Sequence, residues 1–396
     1  MLKEIYIENY KSLKNTTVQF QNGLNIIIGP NGSGKSNLLE FIDNSVNFFV
    51  VLGTKKNFKL GDNYSYTFDI GETESNYMKI TIKTQIENNL LREANGSDYS
   101  RKITKLLDVE YGPNPISVSN YDISDNSFSN LPNEERLRML NYVCIEQLIK
   151  YSIPDKLIWL QSPKKYIIEP DVFSSLSNED ENLVFTIKFR DHIDYKINAF
   201  YEGDLYDSAL LRKFILIIFE DYKYELNLDQ NLNLTSPIEK VRINPNINIY
   251  NIDKKILIDN LTFEFKINDT WVPWSYLSDG TKRLFYIIAE ISSQKDGLIL
   301  IEEPELGIHP HQLFNLMTFI KEESYNKQII ISTHSPIVLD VLEPDELDRI
   351  TIAKIEKGTS QFHKLTKEQK EKAKEYMIEV SDLSYYWLHS DLESND

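Results

Sequence analysis

The chain has 396 residues, 41% of them hydrophobic, which is enough for one large or two ordinary domains with a real core. We find no run of about 18 apolar residues and no signal peptide, and the single cysteine, Cys144, excludes an internal disulfide, so we predict a cytoplasmic protein with no membrane partner. The net charge of −17 counts mildly against DNA binding, because phosphate contacts dominate nucleic-acid affinity and an acidic chain repels phosphates overall.

The N-terminal part of the chain predicts strands followed by a helix. KEIYIENY alternates, TVQF is short and β-prone, and LNIII is typical of a buried strand. After GPNGSGKS, apolar residues at 38, 39, 42 and 46 predict a helix. The segment YSYTFDIGETESNYMKITIKTQI predicts a hairpin that turns at GETESN.

The middle of the chain, residues 88–260, predicts a mostly helical insertion. Helical periodicity appears at 133–152 and 206–226, short strands are predicted within 182–203, and the Asn-rich segment 226–237 suggests a loop.

From residue 261 onward the pattern sharpens. LTFEFKI predicts a strand, and TKRLFYIIAEIS an amphipathic helix. The buried strands GLILIEE and QIIISTH enclose the helix HQLFNLMTFIKEE, and a strand–helix–strand unit implies a parallel sheet. A hairpin over 349–365 and a highly charged helix over 366–380 follow.

A glycine-rich turn carries the first chemical motif. Residues 29–36 match the P-loop pattern G-x-x-x-x-G-K-[ST], between a predicted strand and a predicted helix. Glycines let backbone N–H groups turn toward phosphate oxygens, and the helix N-terminus favours the same anion. Lys35 would reach the β- and γ-phosphates, and the Ser36 hydroxyl would bind Mg²⁺. The motif predicts ATP and Mg²⁺ as cofactors.

A second motif, LILIEEPELGIHP, places two carboxylates at the end of a buried strand. Glu302 would hold Mg²⁺ through water, and Glu303 would polarise the attacking water as general base. The alternative is a pair of helix-capping acids before Pro304.

Two further motifs complete the set. In SYLSDGTKRL, a Ser–x–Gly turn at a helix start offers donors to an anion, most usefully to a nucleotide on another subunit, although an ordinary helix cap explains it equally well. In IISTHSP, His334 follows a buried strand and could sense a γ-phosphate, although a lone histidine is more often structural.

Together these four stretches resemble the ABC-type ATPases of the RecF/SMC class, and more narrowly the stand-alone AAA21 or OLD-like ATPases found in anti-phage systems such as Septu. ENYKSLKN and EVSDLSYYWLHSDL look like that family's opening and closing segments. The resemblance implies an α/β ABC-type head with a mixed sheet, parallel in the core and antiparallel at the N-terminal strands, and a mostly helical insertion. The lobes would be 1–87 and 261–396, with the insertion at 88–260.

The resemblance also implies roles for individual residues. Glu303 would be the catalytic carboxylate and His334 the switch histidine, while Glu302 and Ser36 would bind the metal. Two protomers would sandwich two ATP molecules in a homodimer or higher oligomer. The phosphate-binding residues would be Asn31, Gly32, Ser33, Gly34, Lys35, Ser36 and Asn37, and the signature closing on the other subunit's ATP would be Ser278, Asp279 and Gly280.

Three departures from the family pattern bear on function. Glu302 replaces the usual aspartate, the signature is SDGTK rather than SGGQ, and the family's Q-loop is not placed, Gln85 being one candidate. The stretch after His334 is too short for a TOPRIM nuclease domain, and His309 and His311 fit loop residues better than a second nuclease centre.

The leading interpretation is a slow Mg²⁺-dependent ATPase that senses or regulates a separate effector, a nuclease, in anti-phage defence. One alternative is a RecF-like DNA-binding ATPase, with a basic patch from Lys55, Lys56, Lys59 and residues 101–105. A second is an ATP-held scaffold with little hydrolysis, which Glu302 would fit. A transporter subunit is disfavoured by the long insertion.

Overall fold

The structure of the chain, a computed structural model, describes residues 1–50, 63–69, 77–93, 96–111, 117–122, 147–149, 166–168, 182–188, 194–200, 227–252, 255–259, 263–293 and 298–390. The chain divides into two compact units, one formed by 1–151 with 290–396 and the other by 152–289. The lobe boundaries at 87/88 and 260/261 stay predictions. Of the helices in the described ranges, none is both long and apolar enough to cross a membrane.

The described residues form strands and helices with the following bounds. The strands are β1 Leu2–Tyr10, β2 Leu13–Gln19, β3 Leu24–Ile28, β4 Asn63–Asp69, β5 Tyr77–Glu93, β6 Gly96–Tyr111, β7 Ser117–Asp122, β8 Gln147–Ile149, β9 Tyr166–Ile168, β10 Asn182–Lys188, β11 Asp194–Phe200, β12 Lys240–Ile243, β13 Asn248–Ile252, β14 Lys255–Asp259, β15 Phe263–Ile267, β16 Thr270–Pro273, β17 Leu298–Glu302, β18 Gln328–Thr333, β19 Ile350–Glu356 and β20 Thr359–Lys364. The α-helices are α1 Lys35–Val50, α2 Leu228–Thr235, α3 Asp279–Ser293, α4 Pro310–Glu323, α5 Lys367–Glu379 and α6 Leu383–His389. Short 3₁₀ turns occur at Trp274–Tyr276, Pro336–Val341 and Leu347–Arg349.

The first unit is built on one mixed sheet with the strand order β7-β6-β5-β4-β1-β2-β20-β19-β3-β18-β17-β8. From β19 through β3, β18 and β17 to β8 the neighbours are parallel, whereas β7 to β2 pair antiparallel. Every residue of β3 and β18 is buried, as expected for parallel strands covered on both faces. The prediction of a parallel core joined to antiparallel N-terminal strands is confirmed.

One side chain links β1 to β18, although the two strands are far apart in the sequence. Gln328, buried at the start of β18, accepts a hydrogen bond from the Leu2 main-chain N–H at 2.7 Å and donates one to the Leu2 carbonyl at 2.7 Å. Its amide therefore acts like an extra strand residue beside β1, and burial without this pairing would cost free energy.

An aromatic cluster packs α1 against the antiparallel strands. The Phe41 ring lies edge-on to Tyr64 at a centroid distance of 5.2 Å and near Tyr10 at 5.0 Å. Tyr64 is 1% exposed, and its hydroxyl is buried with no hydrogen-bond partner among the described residues. The same burial raises the pKa of the Tyr64 phenol.

We expect Tyr64→Phe to raise the free energy of unfolding by about 1 kcal/mol, because it keeps the ring and removes a buried hydroxyl that no described residue pairs with. Urea unfolding of both proteins measures the change. Tyr64→Leu is the control: it also loses the hydroxyl but gives up the edge contact with Phe41, so it should destabilise the chain. A lower midpoint for Tyr64→Phe would contradict the prediction.

The second unit contains the sheet β12-β15-β16, the hairpin β10–β11 and the sheet β13-β14-β9. Its best-described core is aromatic: Phe265 lies 5.0 Å from Phe285 and 5.5 Å from Trp274. Phe285 is on α3, so the cluster packs that helix against β15. The predicted strand LTFEFKI and the predicted amphipathic helix are confirmed.

The structure tests only part of the prediction of a mostly helical middle segment. The described residues within 88–260 are mainly in strands rather than helices. Most of the predicted helical segment 133–152, and all of 206–226, lie outside the described residues. Residues 147–149, predicted helical, instead form β8, because they pair in parallel with 299–301 at the sheet edge. The predicted loop at 226–237 is wrong: α2 forms there with Leu228, Leu232 and Thr235 buried along one face.

Candidate functional site

The P-loop connects β3 to α1 in a conformation that requires glycine. Gly32 and Gly34 have φ values of +81° and +96°, where L-residues are strained. A Cβ on Gly29 would lie 2.1 Å from the Ala353 carbonyl oxygen, and one on Gly34 would lie 1.9 Å from Ser360 Oγ. The loop therefore packs directly on β19 and β20, and its backbone turns sharply enough to line up N–H groups for an anion.

Lys35 is held inside this loop. It is 5% exposed, and its ammonium donates to the carbonyls of Gly29 at 2.7 Å and Pro30 at 3.0 Å. Ser33 Oγ is buried with no hydrogen-bond partner in the described part of the chain. A buried ammonium and a buried hydroxyl without a partner in one cradle fit an anionic ligand with several oxygens.

The outer residues of the motif differ in exposure. Asn31 and Ser36 are exposed, while Asn37 is partly buried and donates from Nδ2 to Ser12 Oγ at 2.8 Å. Ser360 Oγ and Ser12 Oγ are 2.7 Å apart, so Asn37 is tied through Ser12 to β20. The helix N-terminus is thereby fixed against the sheet.

Parallel pairing brings three of the predicted motifs to adjacent strand ends. The Gly29 N–H donates to the Thr333 carbonyl at 3.3 Å, and the Glu303 N–H donates to the Ser332 carbonyl at 2.6 Å. The P-loop, the Glu302–Glu303 pair and His334 thus leave β3, β17 and β18 at the same edge of the sheet. This is the edge at which parallel α/β sheets bind ligands.

Glu303 occupies a strained backbone position. Its φ is +46°, in the left-handed region that non-glycine residues rarely adopt. Its side chain is 22% exposed, and its carbonyl accepts the Leu306 N–H at 3.2 Å. Such backbone strain persists only where the surrounding structure enforces it, and strained residues are found mainly at functional sites. Glu302, at the last position of β17, is partly buried.

His334 lies between two carboxylates. Its side chain is 39% exposed, and Nδ1 is 3.4 Å from Glu303 Oε1 and 3.3 Å from Glu305 Oε1. Glu305 was not among the predicted site residues. The acid two positions after Glu303 in EEPELGIHP was the available signal, but only the fold shows which side chain it faces.

The signature residues lie in the second unit and are described by themselves. Ser278 Oγ accepts the Thr281 N–H at 3.2 Å and lies 2.9 Å from Thr281 Oγ1, so Ser278 caps α3. Asp279 is exposed and lies 3.3 Å from Lys282 Nζ, and Gly280 is buried. The ordinary capping interpretation is therefore observed, and a contact with another subunit's nucleotide stays a prediction.

The residues present fit the predicted cofactors. The P-loop offers turned N–H groups and an ammonium to phosphates, and Ser36 and Glu302 offer the oxygen ligands that Mg²⁺ prefers. Within the described ranges no group of three or more His, Cys, Asp or Glu is placed to hold a metal, and His309 instead caps α4. Magnesium bound by few protein ligands together with phosphate oxygens is the usual arrangement in ATPases.

Gln85, the candidate for the Q-loop, lies in β5.

The chain is similar to several proteins that are named as ATPases. Residues 146–340 match the family described as "AAA domain, putative AbiEii toxin, Type IV TA system", AAA_21. The chain is 23% identical over 397 residues to the Retron Vc95 probable ATPase of Vibrio cholerae serotype O1 biovar El Tor, covering 87% of this chain and 72% of that protein.

Two further relatives extend the comparison. The ATP/GTP phosphatase of Helicobacter pylori is 22% identical over 362 residues, covering 87% of this chain and 88% of that protein. RecF of Thermoanaerobacter sp. strain X514 is 30% identical over 122 residues, covering 30% of this chain but only 34% of RecF.

The fold, the P-loop with its neighbouring acids and these matches define an ABC-type ATPase of the RecF/SMC-like class. Within that class, residues 146–340 carry the AAA_21 match, just under half of the chain, and the named ATPases among its relatives support ATP hydrolysis as its reaction.

Proposed function

We propose that this ATPase requires Mg²⁺, dimerises around ATP and regulates a separate effector. The observation that carries the catalytic part is the meeting of the P-loop, Glu303 and His334 at neighbouring ends of parallel strands. Position supports each proposed role: Lys35 binds phosphate, Glu303 orients a water and accepts its proton, and His334 steadies the γ-phosphate end.

The metal part of the proposal concerns Ser36 and Glu302. Mg²⁺, when bound, would neutralise charge on the phosphate oxygens. Ser36 would hold it directly and Glu302 through a water. Glutamate is one methylene longer than the aspartate usual at this position, so it would hold the metal less rigidly. A slow turnover follows from that looser support.

The proposed homodimer and effector are inferred from similarity to known ATPases and from the signature residues. Ser278, Asp279 and Gly280 at the start of α3 could close on a second subunit's nucleotide, giving a homodimer whose opening depends on hydrolysis. The resemblance of the four motifs to ATPases of anti-phage systems leads us to propose a role beside an effector, a nuclease, in anti-phage defence in the cytoplasm.

The RecF-like alternative is supported by the RecF match and would add duplex DNA as a ligand. Of its predicted basic patch, Lys55, Lys56 and Lys59 lie outside the described residues, and 101–105 lie in β6. A scaffold with little hydrolysis is the second alternative, favoured by Glu302.

The test is ATP turnover and assembly mass of the purified protein, with Mg²⁺ or with EDTA, and with or without duplex DNA. We expect turnover that EDTA abolishes and an ATP-stabilised dimer, both insensitive to DNA. Strong stimulation by DNA would favour the RecF-like function. ATP binding without turnover would favour the scaffold, and a monomer at all ATP concentrations would contradict the dimer.

A further inference from the structure

We propose that Glu305 is a positioning residue for catalysis: it takes the Nδ1 side of His334 and so keeps Glu303 available as general base. This inference rests on the roles of Glu303 and His334 proposed above. It adds a residue to which neither the motifs nor the relatives assign a role.

One carboxylate oxygen of Glu305 serves three groups around His334. Glu305 Oε1 accepts hydrogen bonds from Thr333 Oγ1 and from the His334 main-chain N–H, the latter at 3.1 Å. The same oxygen lies 3.3 Å from His334 Nδ1. Glu305 therefore grips the backbone of His334 and faces its ring at the same time.

The burial of Glu305 shows that stability alone does not account for it. Its side chain is 8% exposed, and Oε2 is buried with no hydrogen-bond partner in the described part of the chain. Burying a carboxylate oxygen without a partner costs stability. A residue retained at such a cost, beside a strained Glu303, is typical of a functional site.

Two carboxylates compete for one imidazole nitrogen. Glu303 Oε1 is 3.4 Å from Nδ1, almost as close as Glu305 Oε1. If Nδ1–H pairs with Glu303, Oε1 of Glu303 is occupied and the carboxylate is a weaker base toward the attacking water. When Glu305 holds Nδ1–H, Glu303 is free, and which nitrogen carries the proton is set by this neighbour.

The inference makes a graded prediction for kcat. Glu305→Gln keeps an oxygen acceptor and should lower kcat by about threefold to tenfold, whereas Glu305→Ala leaves Glu303 as the remaining acceptor and should lower it by about tenfold to a hundredfold. KM for ATP should stay within about twofold in both, because the phosphate cradle is not touched.

A double-mutant cycle separates positioning from support of the fold. In a His334→Ala background there is no ring to hold, so adding Glu305→Ala should leave kcat unchanged within about twofold. An equal loss in both backgrounds would overturn the inference, as would a loss that appears in KM rather than in kcat. Glu305→Gln extends the cycle if the alanine variant does not fold.

The chain offers a matched control. Asp340, in the 3₁₀ turn after His334, accepts the Ser384 N–H at Oδ1 and the Ser384 hydroxyl at Oδ2, both at 2.7 Å. Like Glu305, it therefore accepts one main-chain N–H and one hydroxyl. Asp340→Asn should leave kcat within about twofold. If Glu303→Gln lowers kcat and the Glu305 variants do not, this inference alone fails; if Glu303→Gln has no effect, the proposed function fails with it.

Discussion

Glu303→Gln is expected to lower kcat for ATP hydrolysis by about 10²- to 10⁴-fold, the range that a general base contributes. Glutamine has the shape of glutamate, so the main-chain contacts that hold Glu303 at φ +46°, to the Ser332 carbonyl and from Leu306, should persist. What is lost is the basic oxygen. ATP binding should change little, because Lys35 and the loop N–H groups remain.

Steady-state phosphate release gives kcat, and a fluorescent ATP analogue gives the affinity. Glu322→Gln is the control, since Glu322 is an exposed acid on α4 and its charge is removed in the same way. We expect the ATP-bound dimer to accumulate in Glu303→Gln and not in the control. Turnover within a few-fold of the parent would rule out Glu303 as the base.

Gly34→Ala should reduce ATP affinity at least a hundredfold and destabilise the chain by about 2–4 kcal/mol, combining left-handed backbone strain with overpacking. At φ +96°, its Cβ would lie 1.9 Å from Ser360 Oγ and 2.7 Å from Ser360 Cβ. Either the loop or β20 must move, and the N–H groups of the cradle would move with the loop.

Two further variants separate the contribution of backbone strain from that of overpacking. Gly358 has φ +81° with nothing within 4 Å of an added Cβ, so Gly358→Ala measures the backbone strain alone and should spare ATP binding. Ser360→Gly in the Gly34→Ala background removes the clash and should restore part of the affinity. Titration with the fluorescent analogue and urea unfolding read both quantities. Unchanged ATP affinity in Gly34→Ala would contradict the packing described for this loop.

Much of the fold and site was accessible from sequence because its signals are local. The P-loop pattern, the apolar runs of β3, β17 and β18 and the helix between the last two are each complete within a short stretch of chain. Parallel pairing then follows from connectivity, and it places Glu303 and His334 beside the loop.

The elements that were missed depend on distant partners. β8 is a strand because β17 lies beside it, and α2 is a helix because a buried face and the Asp229 bond to the Val241 N–H stabilise an Asn-rich stretch of low helix propensity. Glu305 was missed for a similar reason: its three partner atoms belong to residues 28 or 29 positions further along.

The strand order also determines when the nucleotide site can form during translation. The nucleotide loop is translated before β18 and β19, the strands that flank β3, and Leu2 is bonded to a residue 326 positions later. At about 5–20 residues per second, the loop waits roughly 15–60 s for its neighbours. A nascent chain therefore cannot hold this ATP cradle in its finished form until β18 and β19 have been translated.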